Sequence, residues 1–384
     1  MLDRLETYLP QLQQPEQWAV ATVISTSGSA PRAAGASMLV HESGRCVGSV
    51  SGGCVEAAVV DAAMTMLQTG ASEVIEFGYS DHDGLGVGLT CGGSLEVHIQ
   101  PLSALQNILP ILIDYASRDN HPVALVQSVQ SDRQHILELV DLSEPVDHWL
   151  LCQLPRRTQQ QVRAALKSGT NTVVPLLVGD DEDCQPDGRL VIQTRLSAPR
   201  LLIYGANDFA AALAAVARPL GWHITVCDAR SLFATAARQP HAHEVVVETP
   251  VTHLRREFAT GAIDPRTSVV VLGHDPRFDL EILVEALSLP LSYVGAMGSR
   301  KTHQKRVEDL LKLGLDESAL GRLHSPIGLD IGAGNPAEIA ISILGEIIVS
   351  RNSASAEQDQ PLVQIQHLKD TRGPVQTRTP AARK

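Results

Sequence analysis

Residues 201–210 constrain this chain more than any other stretch. Four apolar residues, Leu201-Leu202-Ile203-Tyr204, run into Gly205-Ala206-Asn207-Asp208, and Phe209, Leu213, Val216 and Leu220 then recur at helical spacing. Strand, tight turn and helix in that order form the setting a dinucleotide fingerprint requires. The alternation continues downstream. Strand patterns at 201–204, 223–227, 244–247, 267–272 and 291–294 have helical patterns between most of them. This predicts a parallel sheet covered by helices on both faces, a Rossmann-like α/β domain over residues 198–352. A polar tail follows from Ser353.

The fingerprint itself departs from the dinucleotide pattern. Asn207 stands where glycine would let a pyrophosphate approach the backbone, and Asp208 adds negative charge beside it. Asp228 lies 23 positions after Gly205, at the end of the next strand, where a carboxylate can accept from ribose hydroxyls; Arg230 then offers a cation to a phosphate. Two readings stay open: a crevice for NAD(P) or another nucleotide, and a fold of this type whose ligand has been lost or altered. Other loops at the carboxyl ends of the strands fall near the same crevice. Gly273-His274-Asp275-Pro276 offers His274 as an acid–base group or a binding contact. Gly295-Ala296-Met297-Gly298-Ser299-Arg300-Lys301 combines small residues with two cations at a helix start, a sensible phosphate site in which Gly298, Ser299 and Arg300 are candidates. Residues 328–336 enter a helix with Asn335 as N-cap, Pro336 at N1 and Glu338 at N3, which serves capping or ligand contact equally well.

A chain of 384 residues has room for two or three cores. Aromatics are only 3%, so those cores must be built from Ala, Val, Leu and Ile. The formal charge of −12 argues against a general nucleic-acid binder, which needs a basic surface. Residues 1–20 lack the basic start and apolar stretch of a secretory signal, and no apolar run approaches the ~20 residues of a membrane span. The six cysteines (Cys46, Cys54, Cys91, Cys152, Cys184, Cys227) form no CxxC pair, so a reducing cytoplasm is the expected location.

Ahead of the α/β domain the period changes several times. Residues 1–17 read as a short amphipathic helix, with Leu2, Leu5, Leu9 and Leu12 on one side. Strands are expected at 18–25, 37–41, 46–50, 73–77 and 94–100, with a helix between the third and fourth that Gly70 stops. This is an α+β domain over 1–102. Residues 103–197 carry further helix and strand patterns, and could be a separate small domain or the remainder of the first.

Two cysteines in this region sit in glycine settings. Ser51-Gly52-Gly53-Cys54-Val55-Glu56 places Cys54 at a helix start, where the partial positive charge favours an anion and suits a nucleophile or soft-metal ligand. Thr90-Cys91-Gly92-Gly93 places a second cysteine in a loop whose amides are open to an anion. Burial as small hydrophobes is the competing reading for both. The acidic run Ser80-Asp81-His82-Asp83-Gly84 fails calcium-loop spacing and reads as a solvated loop.

Several longer motifs now fall into one order. Gly28-Ser29-Ala30-Pro31-Arg32, Ser51-Gly52-Gly53-Cys54-Val55-Glu56 and Gly88-Leu89-Thr90-Cys91-Gly92-Gly93 resemble the amino-terminal signature of the XdhC/CoxI family. Val294-Gly295-Ala296-Met297-Gly298-Ser299-Arg300 and Ser325-Pro326-Ile327-Gly328-Leu329-Asp330-Ile331-Gly332-Ala333 resemble that family's Rossmann domain. The resemblance implies an accessory protein for xanthine dehydrogenase and related molybdenum hydroxylases, a maturation chaperone rather than an enzyme. Such a protein binds molybdenum cofactor (molybdopterin), protects it while a sulfurtransferase helps install its terminal sulfur, and hands it to the apo-enzyme. Family members are often homodimers and are sometimes named after the enzyme they serve. By position, Cys54 and Cys91 become molybdenum or sulfur contacts and Arg32 a contact for the pterin phosphate, within loops formed by Ser51, Gly52, Gly53, Gly92 and Gly93. In the Rossmann part the family usually has Gly-Ala-Gly-His where this chain has Gly205-Ala206-Asn207-Asp208, whereas Asp228, Arg230, Ser299 and Arg300 fit. The alternative function is an NAD(P)-dependent oxidoreductase with His274 as acid–base group and Asp228 on the ribose. Cysteines without iron–sulfur spacing argue against a complete molybdenum hydroxylase.

Overall fold

The computed structural model describes residues 1–28, 32–78, 93–118, 120–131, 135–143, 149–179, 185–273 and 275–353. Two compact units divide the chain, Met1–Ser197 and a second beginning at Ala198.

The first unit holds two antiparallel sheets. Strands β1 (Trp18–Ser27), β2 (Ser37–His41), β3 (Cys46–Gly48), β4 (Glu73–Phe77) and β5 (Ser94–Pro101) lie in the order β3-β2-β1-β5-β4. Alternation along β1 sorts its side chains between two cores. Ala19, Ala21 and Val23 face helix α2 (Glu56–Thr69), meeting Val59, Ala63 and Met66, whereas Trp18 and Val20 join Leu2, Leu5, Val123 and Leu125 on the other side. Further along that second face, at a register shift between Val23 and Ser25, Ile24 packs with Val129 and Val191. Gly70, with φ 71°, closes α2 in the left-handed conformation that glycine adopts freely.

The second sheet comprises β6 (Val123–Val129), β7 (Leu137–Asp141), β8 (Thr172–Leu177) and β9 (Pro186–Arg195) in the order β7-β6-β9-β8. Helices α3 (Leu109–Ser117), α4 (Trp149–Gln153) and α5 (Arg156–Ser168) accompany it. On α5, Val162, Ala165 and Leu166 bury against Val126, Leu190 and Ile192. Polar ties also cross between the sheets. Gln100 and Gln127 exchange amide bonds of 3.0 and 2.7 Å, and Arg189 Nη1 donates to both oxygens of Glu96 at 2.9 and 3.0 Å. Residues 103–197 therefore pack with the amino-terminal sheet in one unit.

The amino terminus differs from its helical expectation. It forms 3-10 turns at Leu2–Arg4 and Pro15–Gln17 around one short helix, α1 (Leu9–Leu12). Pro10 and Pro15 remove amide donors that a continuous helix would use, while Leu2, Leu5 and Leu12 are buried as their spacing suggested.

The second unit is a six-stranded parallel sheet. Its strands are β10 (Arg200–Tyr204), β11 (His223–Cys227), β12 (Glu244–Val246), β13 (Ser268–Val271), β14 (Tyr293–Ala296) and the two-residue β15 (Leu323–His324). Their order, β12-β11-β10-β13-β14-β15, is the doubly wound arrangement in which sequence direction reverses between β10 and β13. Leu201 and Ile203 face α6 (Asp208–Ala217) and α11 (Pro336–Ser353). Leu202 and Tyr204 face the other layer, where α7 (Pro250–Ala259), α8 (Pro276–Ser288), α9 (Arg300–Lys312) and α10 (Glu317–Gly321) lie. With both faces covered, the central strands are apolar through their middle residues, Leu201–Ile203 and Val269–Val271, while polar residues such as Arg200, His223 and Glu244 begin strands β10, β11 and β12. Among the described residues no helix is long and apolar enough to cross a membrane.

Candidate functional site

The loop before α2 is organised by a carboxylate from the helix it precedes. Gly52 and Gly53 take φ values of 88° and 127°, which turn three successive amides toward one point. Glu56 fills that point. Its carboxylate accepts from the amides of Ser51, Gly52 and Gly53 at 3.0, 2.9 and 2.8 Å, and from the hydroxyls of Ser49 and Ser51 at 2.8 and 2.5 Å. Burial alone would raise its pKa, but the bonds from Ser51, Ser49 and backbone amides outweigh it and hold the carboxyl down at about 2. Ser51 Oγ also accepts from the amides of Cys54 and Val55 at 3.0 and 3.2 Å.

Cys54 thus projects, half-buried, from a loop pinned on both sides. Helix α2 begins at Glu56 with Val55 as its N-cap residue, so Cys54 lies just outside the helix rather than in its first turn. A Cβ at Gly52 or Gly53 would meet no heavy atom within 4 Å among the described residues, so the two glycines serve backbone conformation and leave the loop's outer side open. Of the other residues expected here, Arg32 lies 3.9 Å from Asp3, and Gly93 is buried just ahead of β5. Cys91, Gly92 and the acidic run 80–84 lie outside the described residues.

In the second unit the fingerprint turn is self-satisfied. Gly205 has φ 111°, and a Cβ there would stand 2.7 Å from the amide nitrogen of Gly273, so only glycine lets the loops after β10 and β13 meet. Asn207 caps α6: its Oδ1 accepts from the amides of Phe209 and Ala210 at 3.1 Å each, and its Nδ2 donates to Leu272 O at 2.9 Å. Those helix-end amides are the groups that would hold a pyrophosphate.

Asp228 completes the closure. Its Oδ2 accepts from the Ala206 amide at 2.9 Å and from Arg230 Nη2 at 2.7 Å; its Oδ1 accepts from the amide and Nε of Arg230 at 2.9 Å each. Four bonds fill the usual capacity of a carboxylate. Burial would raise the Asp228 pKa, but the bonds from Arg230 and Ala206 bring it below the usual range. Gly205, Asn207, Asp228 and Arg230 do converge on one crevice of about 540 Å³. They meet there bonded to one another. His274 lies outside the described residues.

A larger cavity, about 870 Å³, opens beside β14 and shares Phe209, Gly273 and Asp279 with the crevice. Gly298, Ser299 and Arg300 line it, as the sequence suggested for a ligand loop. Ser299 caps α9, accepting from the Thr302 amide at 3.1 Å. Sequence reading missed the struts that hold this cavity open. Arg306, 6% exposed, donates to Ser325 Oγ at 2.8 Å and Met297 O at 3.0 Å, joining the loops after β14 and β15. Glu346 is fully buried; it accepts from Tyr293 Oη at 2.5 Å and the Gly328 amide at 2.7 Å, and lies 3.2 Å from His324 Nδ1. Burial opposes its ionisation, yet His324, Tyr293 and Gly328 together depress its pKa to about 2. Asn335 accepts from the Glu338 amide at 3.0 Å, the expected cap, while residues 329–333 also line the cavity.

An antiparallel unit presenting a glycine-set cysteine, followed by a doubly wound unit with an internally filled fingerprint, defines a narrow class. Residues 11–78 match the XdhC and CoxI family, and residues 201–347 match the XdhC Rossmann domain, so that together more than half of the chain is matched. The chain belongs to the XdhC/CoxI family. It is 29% identical over 91% of its length to a probable xanthine dehydrogenase subunit of Bacillus subtilis (strain 168), covering 96% of that protein. It is 28% identical over 85% of its length to the molybdenum cofactor insertion chaperone PaoD of Escherichia coli (strain K12), covering 81% of it. A crystal structure described as a xanthine dehydrogenase from Bacillus halodurans aligns with 93% of this chain and 98% of its own, at 25% identity and a TM-score of 0.62.

Proposed function

We propose that this protein binds molybdenum cofactor and delivers it, in sulfurated form, to the apo-form of a molybdenum hydroxylase such as xanthine dehydrogenase. The observation that carries this reading is the Ser51–Glu56 loop, whose amides and hydroxyls are anchored on Glu56 while Cys54 remains half-exposed at its edge. A thiolate suits a soft metal or a transferable sulfur, and rigid placement lowers the ordering cost of capture. Similarity to a molybdenum cofactor insertion chaperone over most of both chains supports the same cargo. Molybdenum is then substrate, held by Cys54 and Cys91, with Arg32 on the pterin phosphate. A sulfurtransferase supplies the sulfur, and the protein works as a cytoplasmic homodimer. In the second unit the reading assigns ligand contact to Gly298, Ser299 and Arg300.

The test is retention of molybdenum and pterin after incubation with released cofactor and gel filtration. Stoichiometric retention is expected for the wild-type chain, and its loss in Cys54→Ser and Cys91→Ser. A wild-type chain that retains neither element nor pterin sinks direct carriage.

A further inference from the structure

We infer that the Rossmann unit takes its ligand in the cavity beside β14 rather than in the fingerprint crevice, and that this ligand is a nucleoside phosphate. The inference extends the ligand contact assigned above to Gly298, Ser299 and Arg300, and is independent of molybdenum retention at Cys54.

The crevice has little left to offer a phosphate. The amides of Ala206, Phe209 and Ala210 are bonded to Asp228 and Asn207, and Arg230 is bonded through Nε and Nη2 to the same Asp228. A phosphate entering here would have to displace several of these bonds at once, beside the exposed carboxylate of Asp208. The adjoining cavity is built differently. Its wall is apolar, formed by Phe209, Met297, Ile327, Leu329 and Ile339. Lys301 and Lys305, one helical turn apart on α9 and both exposed, stand at its edge beside Arg300, and the buried Arg306 adds a fourth cation. Three carboxylates also line it. Asp309 accepts from Lys312 at 3.0 Å, Asp279 interacts with Arg306, and Asp330 lies on the opposite loop. Four cations against three carboxylates leave the lining with a net positive charge.

Size and place agree with a small-molecule site. A volume of about 870 Å³ falls within the range of ligand pockets, roughly 300–1,000 Å³. Open α/β sheets bind at the carboxyl ends of their strands, which is where the loops after β13, β14 and β15 converge. The walls are also pre-set. Gly328 is held by Glu346, and Leu329 is held by Ser342, whose Oγ donates to Leu329 O at 2.7 Å. A heterocycle would lie on the apolar wall with its phosphate toward Lys301 and Lys305.

The experiment is calorimetric titration of the full chain with ADP, with adenosine and inorganic phosphate as partial ligands and no molybdenum present. Saturable ADP binding is expected, weakened about tenfold or more in Lys301→Ala/Lys305→Ala, because each charge-assisted phosphate contact carries about that much affinity. The Lys301→Arg/Lys305→Arg chain should recover most of it, which separates loss of charge from loss of fold. Arg238→Ala, on the rim of the crevice, should bind ADP as the wild type does. The inference is overturned if ADP does not bind, if inorganic phosphate binds as tightly as ADP, or if Arg238→Ala loses binding while the lysine variants keep it. Failure here with molybdenum still retained would leave the carriage proposal standing.

Discussion

Replacing Glu56 with Gln should separate the charge of this residue from its shape. The substitution keeps one acceptor oxygen but sets an amide NH2 among the donors of Ser49, Ser51, Gly52 and Gly53. Lowering a carboxyl from 4.5 to about 2 sets an upper bound of roughly 3 kcal/mol on its contribution to stability. Glu56 lies near the surface, so screening reduces the expected loss to about 1–2 kcal/mol at neutral pH. The sign follows from the depressed pKa. The contribution is complete above the unfolded value of 4.5 and disappears as pH falls from there toward 2. Urea unfolding of the wild-type and Glu56→Gln chains between about pH 7 and pH 3 should therefore show a gap that narrows on the acid side. Hydrogen exchange at the Gly52 and Gly53 amides should accelerate in the variant at neutral pH. A gap of the same size at every pH, or unchanged exchange at those amides, would refute the assignment of the loop's rigidity to the Glu56 charge.

Two further outcomes follow from His98 and Asn207. Burial first, and Arg189 second, push the His98 pKa from 6.5 down to about 4, so the folded chain holds this ring neutral while the unfolded chain protonates it. Stability from this source, on the order of 3 kcal/mol, is complete above pH 6.5 and lost as pH falls toward 4; His98→Gln should flatten the pH dependence of unfolding in that window. Asn207→Ala removes the cap of α6 and the bond to Leu272, and should cost the second unit about 1 kcal/mol, read as a lower thermal midpoint for that unit.

The parallel sheet was legible because its signal is redundant, with β-type runs alternating with helical spacing over some 150 residues. β15 was not, since two residues carry no period and Leu323–His324 is a strand only because β14 offers it an edge. Leucine spacing marked Leu2, Leu5 and Leu12 as buried, but it could not weigh the two prolines that break the helix. Glu56 shows a subtler gap. It ends the motif that singled out Cys54, yet attention to the thiol hid its part; a carboxylate three residues after a Gly-Gly pair was the available signal. Asn207 was recognised as a departure from the fingerprint, and its identity as a strong N-cap residue already told what it does instead. Arg306 and Glu346 carried no such signal, because the loops they hold come together only in three dimensions.

Each unit joins its first elements to its last. Glu6 pairs with Arg195 at the end of β9, which is bonded on both sides to β6 and β8. In the second unit α6 shares its core with α11, the first and last of its helices among the described residues. During synthesis, neither core can close until its final element has left the ribosome. At roughly 5–20 residues per second, the strand at 200–204 waits on the order of 10–30 s for the helix that will cover it. Over that interval Leu201 and Ile203 stand half-covered, and the crowded growing chain, rather than the finished protein, is where this fold is most exposed to aggregation.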